Sequence, residues 1–331
     1  MTYPAKVMTV YIMGLFMTII DGTMVNVALP TMADDFGVPT TDIEWIAVGY
    51  LLTYAAVIPA AGWLGDRFGT KRVFTTALIA FVITSLACGL SQTLEQLIVF
   101  RVLQGIGAGL VTPVGAAMLY RAYSLEDRAK AAIGVLSVAV IAPAIGPMLG
   151  GILVDTVSWH WIFLINGPIG AVAIVLSFLW LEETKQDAPG RFDLAGFVLS
   201  AAAVAILLYT LSIGPEKGWV SAFTLTFATV GIACLVSLIV IELRIPNPIL
   251  MLRLFEDRLF GTINISAALT AAGFCGMIFV LPLYLPTLRG YSACPSGLAQ
   301  SPQAIGVCLV SNLLGRRRYR SSGPRRLMVV G

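Results

Sequence analysis

The chain has 331 residues, of which 58% are hydrophobic and 12% charged, and its mean hydropathy is +0.88, where an ordinary soluble domain carries roughly 25% charged residues. So few charges cannot cover a water-facing surface, which excludes a soluble globular domain and makes lipid the solvent. The balance of 21 Lys and Arg against 18 Asp and Glu leaves a net charge of +3, too weak for a nucleic-acid footprint, so no nucleic-acid partner is expected. Five cysteines (Cys88, Cys234, Cys275, Cys294, Cys308) stand singly in apolar runs beside a single histidine, His160. That spacing offers no metal constellation, no cofactor site and no nucleophile–base pair, which argues against an enzyme and reads the cysteines as small apolar core residues.

Breaks at charged or Pro/Gly-rich stretches divide the chain into apolar runs near 8–30, 43–64, 73–91, 97–120, 131–154, 162–181, 194–213, 221–241, 260–284 and 297–314. Most are about the 20 residues needed to cross about 30 Å of hydrocarbon. Ten spans follow, with an eleventh beginning at Leu327. The first carries Asp21, lacks an A-x-A cleavage site and is followed by similar runs, so it is a span and not a signal peptide. Runs of this length without period-2 alternation exclude a β-barrel, and the fold class is all-α: a polytopic bundle of about ten transmembrane helices.

Basic residues test the alternation of sides. The N-terminal side holds 18 of the 21: Lys6; Arg67, Lys71 and Arg72; Arg121, Arg128 and Lys130; Lys185 and Arg191; Arg244, Arg253 and Arg258; and six arginines between Arg316 and Arg326. Lys217 and Arg289 fall on the other side, with Arg101 at the mouth of the fourth span. The asymmetry places the N-terminus in the cytoplasm.

Asp21 stands inside the first span, in Asp21-Gly22-Thr23-Met24-Val25-Asn26-Val27-Ala28-Leu29-Pro30. A charge near the bilayer centre costs at least a few kcal/mol and persists where it faces a cavity or a partner, which makes Asp21 a candidate proton carrier. The plainer alternative is a shifted helix with Asp21 near an interface, capping a break at Gly22. Between the second and third spans runs Gly62-Trp63-Leu64-Gly65-Asp66-Arg67-Phe68-Gly69-Thr70-Lys71-Arg72. By physics alone this is a positive-inside hairpin, with two glycine-flanked turns in which Asp66 pairs with Arg67 or with another helix's terminus.

The fourth span opens Arg101-Val102-Leu103-Gln104-Gly105-Ile106-Gly107-Ala108-Gly109. Without a strand–turn–helix context these are packing glycines and not a dinucleotide loop, and Arg101 reads as an outer-interface anchor or as the partner of an acid. The fifth span contains Ala142-Pro143-Ala144-Ile145-Gly146-Pro147-Met148-Leu149-Gly150-Gly151. Pro147 there removes a backbone donor and bends the helix, while the small residues admit a neighbour. Trp159 and Trp161, flanking His160, read as an interfacial belt.

Gly62-x-Leu64-x-Asp66-Arg67-x-Gly69-x-Lys71-Arg72, lying between spans two and three, closely resembles the signature of the major facilitator superfamily. Arg101-x-x-Gln104-Gly105 resembles its fourth-helix motif, whose arginine is implicated in proton coupling. Gly146-Pro147-x-x-Gly150-Gly151 resembles the fifth-helix antiporter motif of its drug exporters. Asp21-x-Thr23-x-x-Asn26-Val27-Ala28-Leu29-Pro30 and Trp159-His160-Trp161-Ile162-Phe163-Leu164-Ile165-Asn166-Gly167-Pro168 are similar to the 14-span drug:proton antiporter branch, although His160 stands where arginine is usual.

This resemblance implies an N-terminal six-helix bundle over 1–181, a linker with two extra transmembrane helices over 182–258, introduced by Gly190-Arg191-Phe192-Asp193, and the start of a C-terminal bundle over 259–331. It implies proton-coupled export of drugs or other small amphipathic compounds across the plasma (inner) membrane by alternating access. Protons, the substrate and the lipid bilayer are the partners, and a periplasmic adaptor protein is a further candidate. Asp21 and Arg101 would couple the proton; Gly62, Gly65, Asp66, Arg67, Gly69, Lys71 and Arg72 would gate the cytoplasmic side; Gly146, Pro147, Gly150 and Gly151 would limit leak.

A complete 14-span member needs at least four more apolar runs, so a truncated second bundle is expected. Aligning Gly323 with Gly69 sets Arg320 where a repeat of the loop would hold the counterpart of Asp66. The alternatives are a truncated, non-transporting membrane fragment, or an exporter or importer of one metabolite on the same fold.

Overall fold

Long apolar stretches bounded by caps produce long helices, and lipid enforces them, because only internal pairing satisfies the backbone there. The computed structural model describes residues 1–185, 190–246 and 248–289. α1 (Tyr3–Phe36) begins with Pro4 in its first turn and closes on Gly37, whose φ of 65° is left-handed. The second span is split into α2 (Thr40–Ile43), α3 (Trp45–Val57) and α4 (Ala60–Phe68). Its axis bends by 58° at Ile58 and Pro59. α5 (Thr70–Gly89) and α6 (Leu94–Ala122) follow, the latter capped by Thr93 Oγ1, which accepts from the Gln96 amide at 3.3 Å.

α7 (Arg128–Thr156) is one continuous helix in spite of Pro143 and Pro147. α8 (His160–Leu164) and α9 (Asn166–Trp180) make up the sixth span. α10 (Leu194–Lys217) and α11 (Ala222–Glu242) form a hairpin capped by Asp193 and Ser221. A 3₁₀ turn, Leu252–Glu256, precedes α12 (Arg258–Arg289).

Among the described residues, seven helices are long and apolar enough to cross a membrane, or eight with the bent pair as one span. No strand occurs among them. The ninth expected run falls in α12, while the tenth run, the arginine-rich tail and any span from Leu327 lie outside the described residues, as do the side chains of Cys275, Cys294, Cys308 and Arg289.

α1 and α6 form the middle of the first bundle. Around them Val10, Phe74, Leu78 and Val111 build one buried cluster, and Met24, Ile46, Cys88 and Phe163 another. Large apolar side chains such as Ile83, Val99, Phe178 and Leu179 point outward, as helices apolar all round require in lipid.

The expected packing glycines of α6 act as such. A Cβ on Gly107 would lie 2.8 Å from Phe81 N, and one on Gly109 would meet the Tyr54 carbonyl at 2.5 Å. These contacts let α5 and α3 approach to backbone distance.

Candidate functional site

Asp21, midway along α1, and Arg101, in the second turn of α6, meet inside the first bundle with side chains 0% and 1% exposed. Arg101 Nη1 donates to Asp21 Oδ2 at 2.5 Å. The other carboxylate oxygen accepts from Gln104 Nε2 at 3.0 Å and from Asn166 Nδ2 at 2.9 Å. One cation and two amide donors thus replace the water that an ionised carboxylate loses.

The arginine is held as firmly. Its Nε donates to the Ile46 carbonyl at 3.3 Å, Nη1 also reaches Gln104 Oε1 at 2.8 Å, and the guanidinium lies 4.1 Å from the Tyr50 ring centroid and 5.5 Å from that of Phe163. Asn166 Nδ2 also donates to Ser85 Oγ at 3.0 Å, which itself donates to the Phe163 carbonyl at 2.9 Å. Tyr50 is fixed by its hydroxyl on the Thr18 carbonyl at 3.2 Å. Side chains of α1, α3, α5, α6, α8 and α9 therefore converge on one charge pair.

Both side chains are buried within the bundle, and α1 runs unbroken through Gly22, so Asp21 caps no helix break. Asn166, Ser85 and Tyr50 join the pair through the tertiary structure. A legible signal existed for Gln104, one turn on from Arg101 and on the same helix face. None existed for Ser85 or Tyr50, whose partners are 81 and 32 residues away.

The fifth-span motif sits against the other face of α1. A Cβ on Gly146 would strike Thr23 Oγ1, and one on Gly150 would come within 3.1 Å of the Met24 carbonyl. Gly151 is looser, with Val27 at 4.0 Å. Small residues at 146 and 150 thus bring α7 against Thr23 and Met24, two and three residues after Asp21.

In the loop motif, Gly62 and Gly65 are within α4 and not in turns. The turn is made at Gly69 alone, with φ 98° and ψ 137°. Asp66 pairs with Arg121 Nη2 at 2.9 Å, at the far end of α6, and not with its neighbour Arg67. The residues after the sixth span supply a contact that the motif does not foretell. Glu183 accepts the Lys71 amide at 3.0 Å on Oε1 and the Arg72 amide at 3.2 Å on Oε2, and Arg72 Nε lies 3.7 Å from it.

The Thr184 carbonyl accepts the Thr70 amide at 2.9 Å, and Lys71 Nζ reaches the Phe178 carbonyl at 2.9 Å. A helix N-terminus has unpaired N–H groups and a partial positive charge, both of which a carboxylate satisfies. A Cβ on Gly69 would collide with the Glu183 carboxylate.

His160 has no part in the buried network. It stacks on Trp159 at 3.7 Å, and its Nδ1 is 2.8 Å from Ser158 Oγ. Only Trp161 of the expected belt is exposed. Trp159 is buried, donating to Asp35 Oδ2 at 2.6 Å. Among the described residues no group of three or more His, Cys, Asp and Glu is placed to hold a metal.

Residues 11–331 match the model of the Major Facilitator Superfamily. The chain belongs to that superfamily. It is 35% identical over 307 residues to the multidrug export protein EmrB of Haemophilus influenzae, a match covering 92% of this chain and 60% of that protein. To the multidrug resistance protein B homolog of Mycobacterium tuberculosis it is 34% identical over 326 residues, 97% of this chain and 60% of that one. To the putative multidrug resistance protein MdtD of Escherichia coli it is 35% identical over 315 residues, 92% and 66% respectively.

The chain therefore spans about three fifths of the length of these relatives. A crystal structure of the peptide transporter POT in complex with sulfate superposes with a TM-score of 0.64 at 16% identity, covering 97% of this chain and 69% of that one. That likeness shows the fold: a superfamily-type helical bundle. The protein is a multi-pass membrane protein of that superfamily.

Proposed function

We propose that this chain provides the first bundle (1–181), the extra helix pair (182–258) and the opening of the second bundle (259–331) of a proton-coupled exporter of drugs or other small amphipathic compounds. It works in the plasma (inner) membrane with the N-terminus in the cytoplasm, and a periplasmic adaptor is its candidate protein partner. The observation that carries the reading is the Asp21–Arg101 pair, an acid and a base sealed together inside a membrane bundle. The names of the relatives support drugs as the cargo.

Protonation of Asp21 removes the charge that Arg101 neutralises. The guanidinium then loses its strongest partner, and the α1–α6 contact is biased toward a second arrangement; the proton acts as a ligand with different affinity for two states. α7, seated on Thr23 and Met24 through Gly146 and Gly150, keeps the face of α1 behind Asp21 closed to water. Asp66–Arg121 and Glu183 with the α5 N-terminus hold the basic-loop side shut. The driving force is modest: about 1.4 kcal/mol per pH unit and about 2.3 kcal/mol per 100 mV for each proton.

Everted vesicles carrying the protein test this. Drug addition moves protons in the wild type, and Asp21→Asn abolishes that movement while membrane insertion is kept. Undiminished proton movement in Asp21→Asn overturns the assignment.

A further inference from the structure

We propose that Asp193 and Glu242 share one proton, forming a buried carboxylic acid–carboxylate pair that fastens the extra helix hairpin to the segment leading into α12. Asp193 caps α10, its Oδ1 accepting the Gly196 amide at 2.8 Å. Glu242 ends α11 and is 0% exposed, with Oε2 accepting the Leu250 amide at 3.1 Å. Each acid has one oxygen left: Asp193 Oδ2 and Glu242 Oε1 are both buried with no partner among the described residues.

Those two oxygens face each other. A Cβ on Gly196 would strike both, so the two carboxylate oxygens converge on one point beside the α10 N-terminus. Two ionised carboxylates converging out of water repel strongly, and neither is offered a cation by the described residues. Arg191 and Arg244 are exposed, Arg253 gives Nη2 to the Leu243 carbonyl at 3.0 Å, and no ion pair among the described residues includes either acid. A single proton from the adjoining water removes the conflict, taking the pair's charge from −2 to −1 and turning two orphan acceptors into one hydrogen bond.

Its position gives this proton a consequence. Gly190 O accepts from Trp63 Nε1 at 2.7 Å, and the Phe192 ring is 4.8 Å from that of Trp63 on α4. The gating loop thus touches 190–192, Asp193 follows in sequence, and Glu242 continues the line to Leu250 before α12. The shared proton is a clasp between the loop of the first bundle and the linker to the second. It shares no residue with Asp21, so the two sites stand or fall separately.

Infrared titration of the purified chain in detergent reads the proton directly. In an Asp21→Asn background, which silences the other buried acid, a protonated-carboxyl C=O band should persist at pH values where exposed carboxyls are ionised. It should vanish with Glu242→Gln, with Asp193→Asn, and with Gly196→Ala, which keeps both acids but wedges a methyl between them. Absence of the band, or its survival in these variants, overturns the proposal. So does thermal stabilisation by sodium, potassium, magnesium or calcium that Glu242→Gln removes, for the pair then holds a metal cation instead.

Discussion

Arg101 gives its Nη1 to Asp21 at 2.5 Å while its guanidinium lies 4.1 Å from the Tyr50 ring, so one side chain ties α6 to α1 and α3 at once. Breaking a buried pair by removing one partner leaves an uncompensated charge, at a cost of about 3–5 kcal/mol. That exceeds the about 1.4 kcal/mol that one pH unit supplies per proton. Neutralising Asp21 in place leaves Arg101 as the uncompensated charge, so protonation destabilises the sealed arrangement and favours one in which the guanidinium finds another partner or water.

A double-mutant cycle checks this coupling. Arg101→Ala should destabilise the detergent-solubilised protein by about 3–5 kcal/mol, whereas adding Asp21→Asn to it should recover part of the loss. Strictly additive effects would show that the two side chains are energetically independent.

Glu183 is expected to act on α5 from outside the loop motif. Glu183→Ala removes an acceptor from two helix-terminal amides, costing about 0.5–2 kcal/mol by analogy with cap deletions. Amide hydrogen exchange at Lys71 and Arg72 should quicken while Phe81, deeper in the same helix, keeps its rate. Unchanged exchange at both amides would contradict the capping role.

Gly62 and Gly146 should respond oppositely to added volume. Nothing lies within 4 Å of a Cβ on Gly62, and one on Gly146 meets Thr23. Gly62→Ala is therefore expected to leave the melting temperature within the scatter of surface substitutions, while Gly146→Val pushes α7 from α1 at about 1–3 kcal/mol. Cysteine crosslinking between Thr23 and Gly150 positions, in the Gly146→Val background, reads the separation directly.

Asp66 and Arg121 are partly exposed, at 26% and 42%, so their pair contributes at most about 1 kcal/mol to stability. Asp66→Asn should thus leave unfolding nearly unchanged and lower transport. A large loss of stability would instead make the pair a structural strut.

The sequence alone determined the solvent and the all-helical class, because hydrocarbon forces about 20 apolar residues per span and leaves charges at span ends. It also pointed to Asp21 and Arg101, since a charge inside an apolar run is an anomaly wherever the chain goes. It misjudged what is local only in appearance: the break at Ile58 and Pro59, the helical Gly62 and Gly65, and the burial of Trp159. Partnership needed the tertiary structure. Arg101 with Asp21, Arg121 with Asp66, Glu183 with the α5 N-terminus and Asp193 with Glu242 join residues 49 to 112 apart in the chain. Helix periodicity says which residues share a face, but which helix that face meets is decided by side-chain volumes across the whole bundle.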